Sequence, residues 1–106
     1  MRHIDAKDLK QLLNSDQSRP LLLDVREHWE FEICRIEGST LIPMGEIHYA
    51  LQHLDRDRHT VVICHHGIRS QQVCFYLMQM GFNNVNNLIG GVQAWANDVD
   101  STMPTY

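Results

Sequence analysis

The protein has 106 residues, of which 43% are hydrophobic, and a formal net charge of −4 at pH 7. This length predicts one domain with a single core, over residues 1–106. Because the charge is acidic and no run of Lys or Arg is present, we expect no nucleic acid partner and no anionic membrane surface. There is no signal-like or transmembrane apolar stretch, and the three cysteines form no pair motif, so a cytoplasmic protein is predicted.

Short apolar segments alternate with turn signals through the first half of the chain. The predicted elements in this half are a helix capped by Asp5 and carrying Leu9, Leu12 and Leu13, a strand from Leu21 to Val25, a short helix over 27–31, a strand from Thr40 to Ile42 and an amphipathic helix carrying Ile47, Leu51 and Leu54. No repeat or low-complexity segment interrupts this order.

The second half of the chain continues the alternation. The predicted elements are a strand from Val61 to Ile63, a helix that ends near Gly81, a strand from Val85 to Leu88, a short helix carrying Val92 and Trp95, and a polar tail from about Asp98. Repeated strand and helix segments predict an α/β fold, a mainly parallel sheet covered by helices on both faces.

Cys64 stands where the strand from Val61 to Ile63 ends and a glycine loop begins. Ligands of such sheets bind beyond the carboxyl ends of the strands, which is where this cysteine is expected. Free N–H groups at the start of the following helix favour a thiolate at that place. Cys64 is therefore predicted to be the reactive residue, and its alternative interpretation is a buried structural cysteine.

Motifs along nearly the whole chain resemble those of the rhodanese family of sulfurtransferases. They are Cys64-His65-His66-Gly67-Ile68-Arg69-Ser70, which is close to the family's loop pattern Cys-x-x-Gly-x-Arg-Ser, the segments Leu22–Glu27, Trp29–Glu32, Ile36–Ser39 and Ile42-Pro43, and the closing region Gly81-Phe82, Val85, Leu88 and Gly90–Trp95. Their order and spacing also resemble the family. Cys34 and Arg35 depart from the sequence that many relatives have before Ile36.

The resemblance implies a rhodanese-like fold, with a five-stranded, mainly parallel sheet flanked by helices, and a persulfide formed on Cys64. A small anionic donor such as thiosulfate would leave a sulfur there, and an acceptor such as cyanide, a cellular thiol or a protein thiol would remove it. This chemistry requires no metal and no organic cofactor.

The residues after Cys64 are expected to bind the substrate. Loop amides could converge on the terminal sulfur of the persulfide, Gly67 lets the backbone come close, and Arg69 brings a fixed positive charge. We therefore predict a locally cationic mouth. The expected substrate-binding loop comprises His65, His66, Gly67, Ile68, Arg69 and Ser70, and the two histidines add partial charge depending on pH.

Asp24 and Arg26 lie at the carboxyl end of another predicted strand and are expected near the same rim. Asp24 or Glu30 would then hold a loop arginine or a backbone group in place. An ordinary helix start with surface ion pairs explains these residues equally well.

The remaining cysteines and the tryptophans are interpreted as structural. Cys74 lies on the apolar face of a predicted helix and is expected to be inert, while Cys34 is expected to pack, with an exposed, oxidisable thiol as the alternative. Trp29 and Trp95 are expected to anchor the core. Adjacent His65 and His66 suggest zinc, but structural zinc sites usually use two separated ligand pairs, so no metal site is predicted.

Two other functions fit parts of the pattern. Cysteine phosphatases and arsenate reductases use a similar cradle with five residues between Cys and Arg, whereas four separate Cys64 from Arg69. This shorter loop favours a single sulfur atom over a tetrahedral phosphate. A non-enzymatic rhodanese-like module that carries sulfur or binds partners is the second alternative.

Overall fold

The computed structural model describes residues 1–15 and 17–106. Its strands are β1 (Arg2–Ile4), β2 (Leu21–Asp24), β3 (Thr40–Leu41), β4 (Thr60–Ile63) and β5 (Val85–Leu88). They form one parallel sheet in the order β1-β5-β4-β2-β3. The predicted α/β class and the five-stranded parallel sheet are therefore confirmed.

Helices cover both faces of this sheet. They are α1 (Ala6–Leu13), α2 (His28–Ile33), α3 (Ile47–Ala50), α4 (Ile68–Gln79) and α5 (Gly91–Asp98). Successive strand residues point to opposite faces, so β4 contributes to two cores. Val61 and Ile63 pack with α1 and α5, whereas Val62 and Cys64 pack with α4.

Two elements and one side chain differ from the sequence-based predictions. Strand β1 was not predicted, because two of its three residues are exposed and it has no continuous apolar pattern. The amphipathic helix around Ile47 is short, since α3 has four residues and 3₁₀ turns lie on either side at Met44–Glu46 and Leu51–His53. The prediction that Trp29 anchors the core is wrong, because this residue is 60% exposed, whereas Trp95 is buried as expected.

The segment after α5, predicted to be a polar tail, packs on the body of the protein. Met103 is buried in the core that contains Trp95, and Tyr106 packs against that core. Exposed polar residues such as Ser101 and Thr102 alternate with these apolar contacts, which explains why the segment is polar in composition. Among the described residues, no helix is long and apolar enough to cross a lipid bilayer.

Candidate active site

Cys64 lies at the carboxyl end of β4, between the buried strands β2 and β5. The backbone N–H of Gly67 donates to its Sγ at 3.1 Å. Cys64 retains 1% of its accessible surface, whereas Ile68, on the first turn of α4, is 69% exposed. The sulfur therefore lies at the bottom of a loop whose outer residues face solvent.

Gly67 allows the loop to turn immediately before α4. Its φ angle is +98°, a left-handed conformation that residues with a side chain rarely adopt. A Cβ atom there would lie 3.1 Å from the backbone nitrogen of Gly90 and 3.4 Å from the carbonyl oxygen of Leu88. The glycine is thus required both for the turn and for close packing on the segment that follows β5.

The N-terminus of α5 supports the loop from below. The Val92 N–H donates to the Cys64 carbonyl at 2.9 Å, and the Gln93 N–H donates to the His65 carbonyl at 3.2 Å. A Cβ atom on Gly91 would lie 2.3 and 2.4 Å from these same two carbonyl oxygens. The backbone of α5 can therefore approach the loop only because residue 91 has no side chain.

A side-chain network lies beneath the sulfur. The Cys64 thiol donates to Ser70 Oγ at 3.2 Å, and the Ser70 hydroxyl donates in turn to Asn87 Oδ1. Asn87 Nδ2 closes the network by donating to the Gly67 carbonyl at 3.3 Å. All members except the carbonyl are side chains buried within the protein, so the network fixes the sulfur relative to β5 and α4.

Glu30 holds the loop arginine. Arg69 Nη1 and Nη2 donate to Glu30 Oε2 and Oε1, both at 2.8 Å. The Glu27 N–H and the Tyr106 hydroxyl also donate to this carboxylate, both at 2.9 Å. The hydrogen bonds from Arg69 lower the pKa of Glu30 to about 2, and the pKa of Arg69 is raised by the same pair.

This pair changes the predicted electrostatics of the mouth. We expected Arg69 to make the mouth cationic, but the Glu30 carboxylate balances its charge. The guanidinium, about one third exposed, uses two of its N–H groups on Glu30. Because a guanidinium has five N–H groups, donors remain for a ligand.

Asp24 and Arg26 form a second pair, which does not include the loop arginine. Arg26 Nε and Nη2 donate to the Asp24 carboxylate at 3.0 and 2.8 Å, and both side chains are fully buried. The other N–H groups of Arg26 reach the carbonyls of Cys34 and Glu30 and the hydroxyl of Tyr106. The prediction is therefore refined, since Glu30 holds Arg69 whereas Asp24 holds Arg26, and neither carboxylate forms a surface ion pair.

His65 lies within a stack of three rings. Its imidazole is 3.9 Å from that of His66 and 3.9 Å from the Tyr106 ring, with interplanar angles of 24° and 14°. Burial lowers the pKa of His65, and the neighbouring His66 acts in the same direction. His65 Nε2 is buried without a hydrogen-bond partner among the described residues. The neutral imidazole is thus favoured at neutral pH.

The other two cysteines are buried and free. Burial raises the pKa of the Cys74 thiol to about 12, in agreement with the predicted inert role. Cys34 is 7% exposed, so its packed interpretation holds and the exposed alternative is wrong. No three His, Cys, Asp or Glu side chains are grouped to hold a metal ion within the part of the chain that the structure describes.

Sequence reasoning missed three residues that shape the site. Asn87 lies within the strand predicted from Val85 to Leu88, where no role was expected for its side chain, and Gly91 was named only as part of the closing region Gly90–Trp95, not as a contact of the Cys64 loop. Tyr106 was placed in the polar tail although it touches His65, Arg26 and Glu30. The Gly90-Gly91 pair was the one local signal that pointed to close backbone packing.

Comparisons with known proteins point to one family. A family model described as the rhodanese-like domain matches residues 5–98. A sulfurtransferase of Allochromatium vinosum is 38% identical over 96 residues, covering 91% of this chain and 89% of that protein. The adenylyltransferase and sulfurtransferase MOCS3 of Drosophila persimilis is 34% identical over 99% of this chain, which spans 25% of that protein. The crystal structure of a rhodanese-related protein from Thermoplasma volcanium superposes with a TM-score of 0.82 at 35% identity, over 93% of this chain and 94% of that one.

This chain belongs to the rhodanese-like domain family. The resemblance to the rhodanese family drawn from the motifs is therefore confirmed, and the matched single-domain sulfurtransferase has nearly the length of this chain. The general chemistry of this protein is therefore sulfur transfer.

Proposed function

We propose that this protein is a thiosulfate sulfurtransferase that works through a persulfide on Cys64. The observation that carries the proposal is the environment of the Cys64 Sγ, which has the Gly67 N–H at 3.1 Å and the Ser70 Oγ at 3.2 Å. Both groups can donate to an anionic sulfur, and a thiolate is the form of cysteine that attacks.

The reaction takes place in two displacement steps. In the first, the Cys64 thiolate attacks the outer sulfur of thiosulfate, the sulfur–sulfur bond of the donor breaks, and sulfite leaves with the bonding electron pair. In the second, the carbon of cyanide or the sulfur of a thiolate attacks the outer sulfur of the persulfide. The bond between the two persulfide sulfurs breaks, and Cys64 returns to the thiolate. No net oxidation of the protein occurs over one cycle.

The loop residues have distinct roles in this scheme. The Ser70 hydroxyl, which accepts from the thiol in the resting state, can turn its single proton from Asn87 Oδ1 to the thiolate. Arg69, oriented by Glu30, offers its remaining N–H groups to the sulfonate end of the donor. His65, His66, Gly67 and Ile68 form the rest of the entrance, with backbone amides available to the terminal sulfur.

The burial of Cys64 suits an intermediate that water and oxidants would destroy. With 1% of its surface accessible, the sulfur is shielded from bulk solvent, so the proposed reaction requires the loop side chains to move apart for the donor. Because all three cysteines are free thiols, we place the reaction in the reducing cytoplasm, with small thiols or protein thiols as the physiological acceptors.

Phosphate chemistry is less well supported. The loop has four residues between Cys64 and Arg69, one fewer than the cradle of cysteine phosphatases and arsenate reductases. The smaller number of loop amides favours a single sulfur atom over a tetrahedral phosphate. A sulfur carrier would also form the persulfide on Cys64. It would differ from the proposed enzyme only in lacking repeated turnover.

The test is a pair of steady-state assays on the purified protein. With thiosulfate and cyanide we expect repeated turnover to thiocyanate, and with para-nitrophenyl phosphate we expect no phenolate release. Cys64→Ser should form no thiocyanate, and Cys74→Ala serves as the matched control that retains activity. Phosphate release without thiocyanate would overturn the proposal, and a single stoichiometric sulfur transfer without turnover would indicate a carrier.

A further inference from the structure

Tyr106 connects three parts of the site that are far apart in the sequence. Its ring stacks on His65 of the loop with the planes 14° apart. Its hydroxyl donates to Glu30 Oε1 at 2.9 Å and accepts from Arg26 Nη1 at 3.0 Å. One side chain thus contacts the loop, the carboxylate that holds Arg69 and the buried arginine after β2.

The two halves of this side chain have separate functions. The hydroxyl completes the acceptor set of Glu30, whose other positions are taken by Arg69 and by the Glu27 N–H. Burial raises the pKa of Tyr106, so the hydroxyl remains a donor at neutral pH. The ring covers one face of His65, while His66 covers the other.

We infer that Tyr106 is a positioning residue of the active site, which holds Arg69 through Glu30 and holds His65 by stacking before a donor arrives. Fixing two loop side chains in the unbound protein lowers the ordering cost of binding, so the effect falls on donor affinity more than on chemistry. The kinetic part of this inference rests on the proposed thiosulfate reaction, whereas its structural part does not.

Two variants separate the hydroxyl from the ring. Tyr106→Phe removes the hydrogen bonds to Glu30 and Arg26 and keeps the stack, whereas Tyr106→Leu removes both. We expect the KM for thiosulfate to rise about twofold to fivefold in the first variant and about threefold to tenfold in the second, with kcat within about twofold of the wild type. Tyr49→Phe and Tyr49→Leu are the matched controls, because Tyr49 is 73% exposed and takes no part in the network.

Nuclear magnetic resonance supplies readouts that a loss of stability alone would not produce. Tyr106→Leu should raise the pKa of His65 toward its ordinary value, because solvent reaches the ring face, and Tyr106→Phe should leave that titration unchanged. Of the groups that face His65, His66 and Arg69 lie in the same loop, whereas Tyr106 and Glu30 belong to other parts of the chain. In both variants the Nη resonances of Arg69, separate while the guanidinium is held, should average as it rotates.

The experiments test the positioning role of Tyr106 and the proposed thiosulfate reaction separately. An unchanged His65 titration in Tyr106→Leu, unchanged Arg69 resonances in Tyr106→Phe, or an unchanged KM in both variants would overturn the positioning role. If the wild type takes no sulfur from thiosulfate, the proposed function fails, and the two resonance measurements still decide the role of Tyr106.

Discussion

Arg69 and Glu30 form a bidentate ion pair, with both N···O distances at 2.8 Å, that joins the Cys64 loop to α2. The two residues are 39 positions apart in the sequence. Glu30 is 4% exposed, so the loop arginine is held by a carboxylate that is largely removed from solvent. The carboxylate thereby balances the charge of Arg69 and sets the orientation of its guanidinium before any substrate binds.

Replacing Glu30 should therefore destabilise the protein. Glu30→Gln keeps the shape but removes the charge that pairs with Arg69, and we expect the free energy of unfolding at pH 7 to fall by about 1–3 kcal/mol, a range reduced because Arg69 is partly exposed. Urea denaturation measures the difference. Glu32→Gln, an exposed position on the same helix, is the control and should change little.

The destabilisation caused by Glu30→Gln should disappear in acid. The pKa of Glu30 is about 2 in the folded protein against an ordinary value of 4.5, so the unfolded chain binds the proton more readily. The stabilisation is fully present above pH 4.5 and is lost as the pH falls towards 2. The stability difference between wild type and Glu30→Gln should shrink across this window, and a constant difference down to pH 2 would contradict the assigned pair.

Ser70 is expected to control the reactivity of the sulfur. Ser70→Ala removes the hydroxyl 3.2 Å from the Cys64 Sγ and leaves Asn87 without this partner. Alkylation of Cys64 by iodoacetamide at pH 7 should slow by about tenfold to a hundredfold, since a hydrogen bond to a charged group contributes roughly 1.5–3 kcal/mol. Ser101→Ala, at an exposed site, is the control, and equal alkylation rates in the two variants would remove Ser70 from the mechanism.

Gly91 should tolerate no side chain. A Cβ atom would lie 2.3 Å from the Cys64 carbonyl oxygen and 2.4 Å from that of His65, so Gly91→Ala must displace either the loop or α5. We expect kcat/KM for thiosulfate to fall by about tenfold or more and the protein to lose roughly 1–3 kcal/mol of stability. Gly45→Ala is the matched control, because no atom lies within 4 Å of its added Cβ. Full activity in Gly91→Ala would show that the loop does not depend on this contact.

Local sequence patterns predicted the elements that form the site. The predicted strand from Val61 to Ile63, the Gly67 turn and the helix after it follow from an apolar run, a glycine and a helical period that are adjacent in the chain, and the structure has them as β4 (Thr60–Ile63) and α4 (Ile68–Gln79). The position of Cys64 at the carboxyl end of a central strand follows from the same pattern together with the parallel sheet. Glu30 was also anticipated as a residue that could hold the loop arginine.

Local sequence patterns could not predict the long-range contacts of the site. Tyr106 is 76 positions from Glu30 and 80 from Arg26, and no local period links a residue after the last helix to a loop in the middle of the chain. The same limitation applies to Asn87, whose amide lies 17 positions from the Ser70 hydroxyl. Trp29 was misassigned because aromatic composition alone does not distinguish a core face from a solvent face in a six-residue helix.

The most direct test of the account is the intact mass of the protein after incubation with thiosulfate and removal of excess donor. The wild type, Cys34→Ala and Cys74→Ala should each gain the mass of one sulfur atom, which cyanide then removes. Cys64→Ser should gain nothing. An unchanged wild-type mass, or the same gain in Cys64→Ser, would contradict the claim that Cys64 carries the transferred sulfur.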